Sequence, residues 1–167
     1  IISNNYISGA GNSGTTTNGG IYSAYNDNIV ISGNNVSQAF ENGICIYYKN
    51  DGFSVTGNTI IDTQSVAGVS PSCINIKSQY NTGVISGNSM IRDDTTLNTH
   101  VSVYGINVST VTNNELKIGQ NYSDCTNDIT GQKENMLFPD GMDAKCHVYL
   151  SADQENITDT TYTRIAF

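Results

Sequence analysis

The sequence predicts an all-β chain wound as a stack of similar coils, and three observations carry that expectation. Asn, Ser, Thr and Gly dominate the composition while Leu and Ala are scarce and Trp is absent, which disfavours helices and favours strands joined by tight turns. Hydrophobic residues still reach 37%, and Ile and Val recur in register, as a folded chain requires. Finally, one six-residue phrase keeps returning: ISNNYI (Ile2 to Ile7), ISGNNV (Ile31 to Val36), VTGNTI (Val55 to Ile60), ISGNSM (Ile85 to Met90) and VTNNEL (Val111 to Leu116).

Aligned, the phrases place Asn5, Asn34, Asn58, Asn88 and Asn114 in one column, at intervals of 29, 24, 30 and 26 residues. Periods of this length signal a solenoid in which one loop per coil varies. A second strand recurs between the phrases: GIYSAY from Gly20, GICIYY from Gly43, CINIKS from Cys73 and HVSVYG from His100. Its first inward residue precedes that of the Asn phrase by 10 residues (Ile21 to Ile31), 11 (Ile44 to Val55), 11 (Ile74 to Ile85) and 10 (Val101 to Val111). That near-constancy fixes two strands and their turn, so the variable loop lies after the Asn phrase. Alternation points Ile44, Ile46, Phe53, Val55 and Ile60 inward in one coil, and Ile74, Ile76, Ile85 and Met90 in the next. The Asn itself is expected at a sharp corner, where it tolerates left-handed backbone and links coil to coil through its amide, with Gly33, Gly57 and Gly87 easing the same bend.

The phrase and its spacing resemble the right-handed parallel β-helix of the pectin-lyase-like superfamily. The resemblance implies about five coils with an Asn ladder over residues 1–119. That fold hosts lyases, hydrolases, epimerases and adhesins, so it leaves function open. Beyond it, 120–144 reads as an irregular linker, and eight of the 15 acidic residues fall in 121–167. The segment CHVYLSADQENITDTTYTRIAF alternates as strand, loop and strand. It resembles the first strands of the jelly-roll head domains of phage fibre and appendage proteins, so 145–167 is expected to open a truncated β domain. The resemblance implies a phage tailspike or appendage, on the virion or otherwise extracellular, that recognises a bacterial surface polysaccharide (capsule, lipopolysaccharide or teichoic acid) and in its enzymatic form cleaves it. It also implies a homotrimer, and the open ends of a short stack point the same way. The alternatives are a non-enzymatic structural or adhesive module and a secreted pectate-lyase-like or glycoside hydrolase enzyme.

A net charge of −8 argues against a nucleic-acid partner, and no apolar run approaches the length of a membrane span. No cofactor signature is present. Cys45, Cys73, Cys125 and Cys146 show no metal-ligand spacing and could be two disulfides or partly buried thiols. Polysaccharides lie along an outer sheet face in the resembled superfamily. The outward positions here form the columns Tyr22, Cys45, Asn75, Ser102 and Ala24, Tyr47, Lys77, Tyr104. Tyr22, Tyr47, Lys77 and Tyr104 are therefore the candidate substrate-binding residues, since tyrosine rings stack on sugar faces and their hydroxyls hydrogen-bond. Glycoside hydrolysis needs two carboxyl groups flanking one bond. Glu41, Asp62, Asp93 and Asp94, on the variable loops, are the candidate catalytic residues.

Overall fold

The computed structural model describes residues 1–11, 19–63, 70–92, 104–108, 114–131 and 136–137. In chain order the strands are β1 (Ile2–Ser3), β2 (Tyr6–Ser8), β3 (Ile21–Ser23), β4 (Val30–Ser32), β5 (Asn35–Ser37), β6 (Asn42–Ile46), β7 (Phe53–Thr56) and β8 (Thr59–Ile61). They continue with β9 (Ser72–Ile76), β10 (Thr82–Ser86), β11 (Ser89–Ile91), β12 (Tyr104–Val108), β13 (Glu115–Ile118), β14 (Tyr122–Ser123), β15 (Asn127–Gly131) and β16 (Met136–Leu137). Sheet A stacks β1, β4, β7, β10, β13 and β16; sheet B stacks β2, β5, β8, β11 and β14; sheet C stacks β3, β6, β9, β12 and β15. Every pairing between these strands is parallel, and the chain visits sheets C, A and B in the same order at each pass. The chain is thus all-β, in an arrangement consistent with a parallel β-helix. Among the described residues no helix is long and apolar enough to cross a membrane.

Register turns the alternating pattern into apolar columns. Ile31, Val55, Ile85 and Ile118 stack in sheet A, and Ile21, Ile44, Ile74 and Ile106 in sheet C, all of them buried. Val36, Ile60 and Met90 close the third side from sheet B. Burying each of these side chains contributes roughly 1.5–3 kcal/mol. Their fit is close enough to dictate glycine elsewhere. Gly83 stands beside Phe53, whose ring leaves less than 3 Å for a Cβ there, and Gly43 stands under Ile60 with similarly little room.

The corner between sheets A and B carries the expected row of asparagines. Asn5 donates to Asn34 Oδ1, Asn34 to Asn58 Oδ1 and Asn58 to Asn88 Oδ1, each through both its backbone N–H and its amide, at 2.9–3.0 Å. Two details differ from the sequence reading. The next member is Asn121, not Asn114, since Asn88 donates to Asn121 Oδ1 at 3.0 and 2.9 Å. And the left-handed residue is the one before each asparagine, Asn4, Gly33, Gly57 or Gly87, with φ between 57° and 66°. The asparagine brace therefore works by hydrogen bonding, while glycine makes the bend.

The misplaced asparagine reflects a shifted reading of one coil. In the structure Tyr104–Val108 pairs with β9, so that Ile106 sits over Ile74, and Ile118 sits over Ile85. The positions assigned to Val101 and Val111 are filled by Ile106 and Ile118; those two valines lie outside the described residues. HVSVYG and YGINV alternate equally well, and the true copy of ISGNSM is IGQNYS (Ile118 to Ser123), disguised by a glycine one place early and by Ser123 in the apolar slot. The stacking also runs past Gly119: β14, β15 and β16 pair with β11, β12 and β13 in the stretch expected to be linker. Residues 138–167, with the expected second domain, lie outside the described residues.

Candidate functional site

The outward face of sheet C holds three of the expected binding residues together. Tyr22 pairs with Cys45, and Cys45 with Asn75, along one column. Tyr47 and Lys77 follow Ile46 and Ile76, which are in register, and so lie side by side in the next column. The Tyr22 and Tyr47 rings are stacked, with centroids 6.0 Å apart and an interplanar angle of 29°. Tyr22 is 45% exposed. Its hydroxyl is pushed above the ordinary tyrosine range, chiefly by burial and then by its neighbours Cys45, Tyr47 and Tyr25. Cys45, between Tyr22 and Asn75 in the first column, is fully buried. Burial pushes its thiol up to about 12, against the pull of Lys77 and with a smaller push from Glu41. Asn75 donates to Asn42 Oδ1 at 2.8 Å, which holds its amide in place on this face.

Tyr104 does not join this row. Its register partners are Ser72 and Asn127, and it stands two residues ahead of Ile106, whereas Tyr47 and Lys77 each follow the equivalent isoleucine by one. The shifted reading of that coil had set it level with Lys77.

Glu41 and Asp62, two of the candidate catalytic residues, are buried at 2% and 5% exposure. Both have left-handed backbone, φ 63° and 56°, in the turn from sheet B to sheet C. Glu41 is held there by its carbonyl, which accepts from Ser72 N–H at 2.9 Å, and Asp62 by its own N–H, which donates to Ile91 O at 2.9 Å. Asp93 and Asp94 lie outside the described residues. Among the described residues no group of three or more His, Cys, Asp or Glu is placed to hold a metal ion.

Next to the tyrosine pair the structure shows a surface the sequence reading missed. The turn from sheet C to sheet A contains a second asparagine row: Ser23 Oγ donates to Asn50 Oδ1 at 2.7 Å, Asn50 to Asn81 Oδ1 at 3.1 Å, and Asn81 to Asn114 Oδ1 at 2.9 and 3.2 Å. Here the residues before the asparagines, Tyr25, Lys49 and Tyr80, take the left-handed backbone, with φ of 57° to 62°. Their side chains project beside a concavity of about 680 Å³ lined by Tyr25, Asp27, Lys49, Asp51, Tyr80 and Glu115. Tyr48 touches Tyr25 and Tyr80 edge to face, at 5.3 and 5.9 Å between centroids. A signal for this row exists in the sequence. Asn26, Asn50, Asn81 and Asn114 precede the inward residues Ile31, Val55, Ile85 and Ile118 by 5, 5, 4 and 4 residues.

Comparison of the chain with protein-family models, with curated proteins and with solved structures finds no match.

Proposed function

We propose that the chain binds a polysaccharide along the outward face of sheet C, in the manner of a phage tailspike or related surface appendage acting on a host glycan. The stacked pair Tyr22 and Tyr47, with Lys77 beside it in the next coil, is the observation that supports this reading. Two nearly parallel rings on a rigid parallel sheet offer faces to successive sugars, and Asn75 and Lys77 supply donors for hydroxyl, carboxylate or phosphate groups. The neighbouring turn with Tyr25, Tyr48 and Tyr80 extends the aromatic surface. Burial of Glu41 and Asp62 favours binding without cleavage by these two residues, as in an adhesin. The stack winds right-handed, as parallel crossovers nearly always do. It works as a homotrimer, on the virion or outside the cell.

The test is retention of the protein on immobilised capsule, lipopolysaccharide and teichoic acid, with product sizing in parallel. Tyr22→Ala and Tyr47→Ala should each weaken retention about tenfold or more while leaving the fold intact. Retention on none of the three, or retention unchanged in both variants, sinks the reading. Shortening of the glycan would replace the adhesin by an enzyme. A solution mass of one chain would remove the trimer.

A further inference from the structure

Cys73 and Cys125 stand 52 residues apart in sequence, yet their sulfurs are 3.7 Å apart in the interior. The contact is built by the packing around it. Cys73 occupies the position just before the inward isoleucine of sheet C, which is Gly20, Gly43 and Gly105 in the other coils. A Cβ at Gly105 would come within 2.6 Å of Ser123 Oγ, so the residue in register beyond Cys73 must lack a side chain. Cys125 lies between β14 and β15, anchored by its N–H donating to Ser123 Oγ at 3.3 Å.

We propose that Cys73 and Cys125 are a disulfide-forming pair that ties neighbouring coils of the stack together when the protein meets an oxidising thiol–disulfide couple. A bond requires the sulfurs to close from this contact distance to about 2.05 Å. Cys125 is 8% exposed and Cys73 fully buried, so Cys125 is the entering nucleophile. Its thiol is also held below the ordinary range, mainly by the Cys73 sulfur, with burial opposing. The Cys125 thiolate attacks one sulfur of an external disulfide, forming a mixed disulfide and releasing one thiolate. Cys73 gives up its proton to solvent and attacks the Cys125 sulfur, forming the internal bond and releasing the second thiolate. Two protein thiols are oxidised and one external disulfide is reduced. Cys45, with its thiol pushed up to about 12, is a poor nucleophile at neutral pH and stays out of the exchange.

The experiment treats the full 167-residue chain with oxidised glutathione, natively and in sub-denaturing urea, then alkylates free thiols and maps peptides by mass. The expected result is a linked pair of peptides containing Cys73 and Cys125, two hydrogens lighter than the reduced sum, with Cys45 alkylated. The melting temperature should rise by roughly 5–15 °C on oxidation, and Cys125→Ala should abolish that rise. A mixed disulfide with no internal link under both conditions overturns the proposal, as does a link through Cys45 or Cys146.

Discussion

The two asparagine rows use one backbone device and differ in what stands around it. In both, amides bond from coil to coil, and the residues before Asn5, Asn34, Asn58 and Asn88 in one and before Asn26, Asn50 and Asn81 in the other take left-handed backbone. At the corner between sheets A and B that residue is glycine in three coils, and no titratable side chain belongs to the row. At the turn from sheet C to sheet A it is Tyr25, Lys49 or Tyr80, bordered by Asp27, Asp51 and Glu115. An L-residue held there costs about 1–2 kcal/mol, which glycine avoids. The fold therefore keeps the first corner largely free of such strain and places bulky side chains at the second.

Raising the pH separates the two sides most strongly. The Cys45 thiol, under the sheet C face, lies at about 12 in the folded protein against an ordinary value of 9.0. The folded state favours the neutral thiol, so its contribution is complete below pH 9 and is lost as pH rises from 9 toward 12. At about 1.4 kcal/mol per pH unit the loss approaches about 4 kcal/mol. Unfolding free energies measured by urea from pH 8 to 11.5 should fall more steeply for the parent than for Cys45→Ala. Parallel curves would dissociate Cys45 from the alkaline loss. Asn58→Ala, at the glycine corner, should leave that slope unchanged.

Asn58→Ala tests the rows themselves. It removes the acceptor for two Asn34 donors and the donor to Ile31 O, all buried, and should cost about 3 kcal/mol. Asn81→Ala, in the second row, removes the acceptor of Asn50 and the donor to Asn114, and should cost about 2 kcal/mol. Equal losses in chemical denaturation would erase the distinction in bracing. The smallest effect concerns the backbone. Gly57→Ala has open space for its methyl and should lose about 1 kcal/mol through φ of 63° alone. Lys49→Gly should be close to neutral, because relief of strain offsets the greater freedom of the unfolded chain. A loss of about 1 kcal/mol in Lys49→Gly would show that the turn carries no strain.

The sequence made the first row legible because its repeat combines two signals, an asparagine beside glycine and an apolar residue on each side. The second row has the asparagine without the glycine, so it blended into an Asn-rich background. Asn114 was assigned to the wrong row for the same reason: VTNNEL supplies apolar neighbours, whereas the true equivalent at Asn121 is followed by Ser123. The inward residues from Ile21 to Met90 were readable from alternation, since one face must be apolar whatever the loops do. Tyr22, Tyr47 and Lys77 followed from the same parity. Burial of Glu41 and Asp62 was not readable, because it depends on how the turns fold back over the sheet rather than on any local period.

The hydrogen bonds of the two rows also have a common direction. From Asn5 to Asn121, and from Ser23 to Asn114, each asparagine oxygen bonded along the row accepts from the member in the coil before it. Side-chain hydrogen bonds aligned in this way reinforce one another, so each row has a direction along the stack. Further coils joining head to tail prolong both rows without a break. Two stacks meeting head to head would face like ends, which makes the polarity of these rows a vector that any end-on contact must respect.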